Sequence, residues 1–136
     1  MAEERWGRGP LPLVQSEADL LPLAREVAAR AGGSDPELVQ HVRGTREELT
    51  TLRGSIVHSD EPSYMIAMRG TFVRRRPFPP GGERDQTRAD MESISVKVLV
   101  VEIKTGRVTD SGSGGEYPDL AKVGSVVTDY QRAPKE

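Results

Sequence analysis

The segment from Ile94 to Ile103, ISVKVLVVEI, constrains the fold more than any other part of the chain. Ile94, Val96, Val98 and Val100 recur at every second position and share one face of a β-strand. Leu99, Val101 and Ile103 make its second half apolar on the other face too. Such a strand is central to a sheet and covered on both sides, at least at one end.

A second strand is read from Ser63 to Val73. Tyr64, Ile66, Met68 and Phe72 fall on one side; Met65, Ala67, Arg69, Thr71 and Val73 fall on the other. Gly70 interrupts the first side, which marks a bulge or a close backbone approach. After the central strand, KTGRV is a tight turn with Gly106 where the backbone wants positive φ, and RVTDSG is the returning strand. SGSGGEYPDLAKVG is a loop with a single turn at Pro118 and Leu120, in which Tyr117 and Leu120 fold back to plug the open end of the sheet. SVVTDY is a last, short strand.

The clearest helix lies in SEADLLPLAREVAARAGG. Ser16 and Asp19 have N-terminal capping spacing, and Leu20, Leu23, Ala24, Val27 and Ala31 make one apolar face. Gly32 and Gly33 stop it. Pro22 is tolerated only in a first turn, which moves the regular helix to about Leu21. Leu38, Val39 and Val42 fit either a short strand or one helical turn. Thr45 and Glu48 have the spacing of a capping box, opening a short helix that Gly54 closes.

The expectation is therefore an α+β domain, with an N-terminal helix packed on a curved, mainly antiparallel sheet of about four strands. Residues 1–15 read as a flexible tail carrying Trp6, 16–130 as a single domain with a long loop at 74–93, and 131–136 as a C-terminal tail. A chain of 136 residues suits one domain with a core of its own.

Composition removes several function classes. There are no cysteines, which excludes disulfides, thiolate nucleophiles and Cys-based metal sites. With 19 basic and 21 acidic residues the net charge is −2, against the strongly basic footprint of a duplex nucleic-acid binder. No apolar run is long enough for a transmembrane helix. MAEERWGRGPLPLVQ lacks the apolar core of a secretory signal, so the chain as written points to the cytoplasm, and to export if a leader has been removed.

The chemistry-bearing segments are few. The loop from Arg74 to Ser93 is about twenty residues long, and loops of that length are usually either functional or disordered. Arg74, Arg75, Arg76 and Phe78 place basic charge beside an aromatic residue and a proline-rich turn, a tip suited to an acidic peptide, a phosphate or a single nucleic-acid strand. The competing reading is a solvated strand end that discourages edge pairing and is neutralised by Glu83, Asp85, Asp90 and Glu92. His41 and His58 would make a metal site only by converging with carboxylates such as Asp60 or Glu61; otherwise they face solvent. No GxSxG nucleophile motif occurs, and DSGSGGEYP lacks the ending of a phosphate loop. Asp110, Glu116 and Asp119 are carboxylates of surface turns with no fixed spacing. No catalytic residue, metal site or cofactor is expected.

At VVEIKTGRV the chain resembles the strand–turn–strand of PepSY-like domains. The matching residues are Glu102, Ile103, Lys104, Thr105 and Gly106, followed by Val108, with Glu102 where that family usually has Asp. A preceding amphipathic helix also suits the family. The resemblance implies a non-catalytic module associated with peptidase inhibition or envelope sensing; no functional residue carries over, because the matched positions build a turn. The pattern TGRVTDSG…YPDLAKVG is also similar to that of small bacterial proteins. The reading that results is a non-catalytic binding module for a protein or peptide, which contacts its partner through the Arg74–Ser93 loop or by strand addition at an exposed sheet edge. The alternative is a small-molecule-binding or enzymatic domain with a pocket between helix and sheet, lined by Tyr64, Met68 and Phe72. A third is single-strand nucleic-acid binding by the arginine loop.

Overall fold

The computed structural model describes residues 10–31, 35–54, 57–75 and 91–132, with the side chains of 73–75 and 91–93 outside the description. The elements are helix α1 (Leu20–Arg30), strand β1 (Leu38–Thr45), helix α2 (Arg46–Thr51), and strands β2 (Pro62–Arg75), β3 (Met91–Glu102), β4 (Val108–Gly114) and β5 (Val127–Gln131). Short 3-10 turns at Glu17–Asp19 and Leu120–Lys122 complete the set. The strands form one antiparallel sheet in the order β4-β3-β2-β1-β5. The α+β class is as expected, but the sheet has five strands instead of about four. The additional strand is β1, whose few apolar residues are equally compatible with a helical turn.

The central strand behaves as its sequence demands. Leu99 and Val101 join Leu20, Leu23, Ala24 and Ala28 of α1, together with Ile66, Met68 and Phe72, in one core cluster. Val96, Val98 and Val100 join Met65, Ala67, Leu49 and Leu120 in a second, on the opposite face. The sheet is thus a middle layer, with α1 on one side and α2 plus the 117–123 segment on the other. Each fully buried Leu, Ile or Met contributes about 1.5–3 kcal/mol. Ile94 departs from the expected pattern: it lies in the α1-side cluster, although Val96 does not. It pairs with Phe72, itself in the α1-side cluster, just past a register shift between Arg69 and Phe72. Gly70 sits in that shift, and a Cβ on it would lie 3.1 Å from the Phe72 ring and 3.4 Å from the Pro36 backbone.

The turn that leads into α1 is tied by Asp19, whose carboxylate accepts from the amides of Gln15 (2.8 Å) and Ser16 (3.3 Å). Pro22 falls in the first turn of α1, where its missing N–H is harmless. In α2 the capping box forms: Thr45 Oγ1 accepts from the Glu48 amide at 3.1 Å, and Glu48 accepts from the Thr45 amide at 2.9 Å. Residues 10–15, expected as part of a flexible tail, are tied down. Val14 is buried, and its amide donates to the Gly106 carbonyl at 2.9 Å. At the other end, β5 runs to Gln131 and the Arg132 amide donates to the Glu37 carbonyl, so order continues beyond residue 130.

The 74–93 loop is shorter than its sequence suggests. The β2–β3 ladder continues through the pairs Arg74 with Glu92 and Arg75 with Met91. Among the described strands only β2 and β3 extend this far: β1 pairs with β2 up to Arg69, and β4 pairs with β3 from Val96 onward. The end of the β2–β3 hairpin therefore projects past its neighbours.

Candidate functional site

Of the residues singled out from sequence, Arg74 and Arg75 lie in the backbone ladder of the projecting hairpin. Arg76 and Phe78 lie outside the described residues. Tyr64, Met68 and Phe72, expected to line a pocket, are buried in the α1-side core instead, because the apolar face of α1 closes directly onto them. They line none of the clefts described below.

The histidines part company. His58 is exposed and stands 3.9 Å from Glu47. His41 is buried, with Nδ1 at 2.6 Å from Asp129 of β5 and Nε2 at 2.8 Å from Glu17 of the turn before α1. Its ring meets Tyr64 edge-on, with centroids 5.5 Å apart. The carboxylates are therefore not Asp60 and Glu61. Because the two ring nitrogens point apart, the three groups do not converge on a shared point. Among the described residues no cluster of His, Asp and Glu is arranged to hold a metal ion. Both nitrogens are already engaged, so the set ties α1's entry, β1 and β5 together, with no open position for a reacting group.

The sheet has two edges, β4 and β5, and the clefts gather at β4. Strand β4 is hydrogen-bonded to β3 alone among the described strands. Natural edges are usually guarded by Lys, Pro or bulges. β4 reads VTDSGSG, and its pairing with β3 is regular from Asp110 to Gly114, with the irregularity confined to the Val108 end. Glycines within a strand weaken it and often mark where another backbone approaches closely. A Cβ on Gly114 would meet nothing within 4 Å.

Beneath this edge lies Arg53, just past the end of α2. A Cβ at Gly112 would fall 2.9 Å from Arg53 Nη2, so glycine is what lets the guanidinium lie against β4. Arg53 Nη1 is buried and has no hydrogen-bond partner. Three clefts meet at this side chain. The largest, about 770 Å³, runs between the C-terminal end of α1 and the β3–β4 pair, past Arg30, Lys97, Ser111 and Ser113. A second, about 180 Å³, lies between α2 and the sheet, beside Thr50, Asp110 and Ser111. The third, about 410 Å³, is bounded by Gly114 to Asp119.

Asp110 is committed elsewhere. Its two oxygens accept from Arg46 Nε (2.8 Å) and Nη2 (3.1 Å), and Thr109 donates to it at 2.8 Å. The Arg46 hydrogen bond, with smaller help from Thr109, holds the Asp110 carboxyl below its usual value against the opposing effect of burial. Tyr117 packs on the second core cluster as expected, with its hydroxyl donating to Gln40 at 2.9 Å and the Arg69 guanidinium 4.8 Å from its ring centroid. Burial pushes its phenol up to about 12. Sequence reading missed Arg53 altogether. A single arginine after a short helix carries no local signal, and its partner surface, the SGSG run, reads as a connector.

No protein-family model, curated protein or solved structure matches the chain. No helix among the described residues is long and apolar enough to cross a membrane.

Proposed function

We propose that the protein is a non-catalytic binding module that takes up an extended segment of a protein or peptide as an added strand on β4. The observation that carries this reading is the β4 edge itself: long for an edge, regular over its glycine-rich half, and without Lys, Arg or Pro. Main-chain hydrogen bonds supply affinity in such complexes, and side-chain pockets beside the strand supply selectivity. The clefts at Arg53 are placed for the second task. β4 stops opposite Val96, so an added strand continuing past Gly114 runs toward the hairpin end that bears Arg74 and Arg75. The two contact regions expected from sequence, the sheet edge and the arginine loop, then serve one extended ligand. The helix-first order and the Glu102–Gly106 turn support a likeness to PepSY-like binding modules.

One observation favours the alternative of a small-molecule site. The cleft between the end of α1 and the sheet edge falls within the ~300–1,000 Å³ range of ligand pockets.

The test is amide hydrogen exchange on the protein with and without peptides selected from a displayed library of eight-residue sequences. The expected result is added protection at Asp110–Gly114 on peptide binding, at unchanged sedimentation. Protection that rises with protein concentration alone would mean that β4 pairs with a second copy of the chain. Selected peptides that protect another segment would move the site. Either result overturns the reading.

A further inference from the structure

Resting on the strand-addition reading, we infer that the added segment carries an acidic residue whose carboxylate is received by Arg53. The Nη1 atom of Arg53 is a cationic donor, buried and without a partner. Leaving such a donor unmatched is costly, and a carboxylate oxygen is its strongest match. The nearest acid on the same strand cannot serve, because both oxygens of Asp110 are taken by Arg46 and one also by Thr109. The hydroxyl of Thr50, also lining this space, donates to the Arg46 and Glu47 carbonyls.

Charge around the largest cleft points the same way. Arg30, Arg53 and Lys97 border it with Ser111 and Ser113, and among the described residues no Asp or Glu does. Arg30 is already committed to Glu26 and the Pro10 carbonyl, which leaves Arg53 to make the contact. The single unmatched nitrogen asks for one oxygen of a singly charged acid, in contrast to the several donors that a phosphate dianion collects. Gly112 is integral to this: any side chain there would strike the guanidinium and displace it from the edge.

Two measurements test the inference together. In the first, displayed eight-residue libraries with one central position fixed as Glu, Gln or Lys are selected on the wild type and on R53Q. The Glu-fixed peptides are expected to bind the wild type ~10-fold more tightly than their Gln counterparts, as a charge-assisted hydrogen bond replaces a neutral one. R53Q is expected to erase that preference and keep the Gln-peptide affinity. R53K, which keeps the charge and loses the planar fork, covers the case in which R53Q does not fold, and is expected to reduce the preference. In the second measurement, acetate and inorganic phosphate are titrated separately against the wild type, following the Arg53 Nε–H resonance. A saturable shift with acetate supports the site.

Peptides that protect β4 but bind equally well with Glu and Gln overturn the inference and leave strand addition standing. A preference that survives R53Q also overturns it. An acetate shift with no peptide binding overturns both, and turns the cleft into a small-acid site. A shift with phosphate alone overturns the carboxylate assignment.

Discussion

At the residue scale, Gly106 shows how one position can join sequence signal and tertiary packing. Its φ is +74°, which an L side chain adopts at a cost, and a Cβ there would collide with the Val14 carbonyl oxygen. Its own carbonyl accepts from the Val14 amide and its amide donates to Glu102 at 2.8 Å. Gly106→Ala is therefore expected to cost ~1–3 kcal/mol, through backbone strain and loss of the clamp on residues 10–15. Urea unfolding gives the first quantity, and proteolysis near Leu11 reports the second; an unchanged midpoint would show that the turn relaxes freely. The positive φ was legible in KTGRV, but the contact with Val14 was not, since nothing in a turn motif says which distant carbonyl it will meet. His41 makes the same point more strongly. Its carboxylates lie 24 and 88 residues away in sequence, and neither carries a local mark. Arg53 is legible only once the strand above it is known to be an edge.

At the element scale, elements with a period or a cap could be read, and those without could not. α1 follows from its apolar face, although Val27 and Ala31 are only partly buried while Ala28 is fully so. β3 follows from its two-sided apolar run. β1 was ambiguous because QHVRG alternates around a histidine that is buried by pairing with acids, where a sequence pattern expects an apolar side chain. The position of β5 beside β1, at the far edge from β4, comes from a short polar strand whose pairing is settled by distant contacts such as His41 to Asp129. α2 has only six residues and depends on its cap for local stability. Thr45→Ala removes the bond from the Glu48 amide and is expected to cost ~1 kcal/mol. The same short element carries Arg46, bound to Asp110 of β4, and leads into Arg53. T45A should therefore also speed amide exchange at Asp110 and Ser111, which a purely local cap would leave unchanged.

At the scale of the whole molecule, the layer formed by α2 and the 117–123 segment is fastened to the sheet by two titratable contacts with opposite pH behaviour. Asp110 has a folded-state value below its ordinary 3.8, because Arg46 hydrogen-bonds its charged form. Its contribution is complete above that ordinary range and is lost as pH falls through the lower folded value. Tyr117 is raised from 10.0 to about 12, chiefly by burial, with Asp129 adding and Arg69 opposing. Here the neutral form is the folded one, so its contribution is complete below pH 10 and is lost as pH climbs toward 12. Stability against urea should accordingly show a plateau that ends below pH 4 on one side and above pH 10 on the other. Asp110→Asn is expected to lower the plateau by up to ~1 kcal/mol, since both partners remain partly exposed, and to flatten the acid limb. Tyr117→Phe keeps the ring on the core and loses the bond to Gln40, for ~1 kcal/mol on the plateau, and should flatten the alkaline limb. The absorbance change of phenolate formation gives a direct check: the step near pH 12 should vanish in Y117F and persist in D110N. An alkaline limb unchanged in Y117F would mean that this layer is not what opens at high pH. α2 and Arg46 would then still be in place beneath the β4 edge, and the bidentate contact from Arg46 to Asp110 would hold that edge through the alkaline limb.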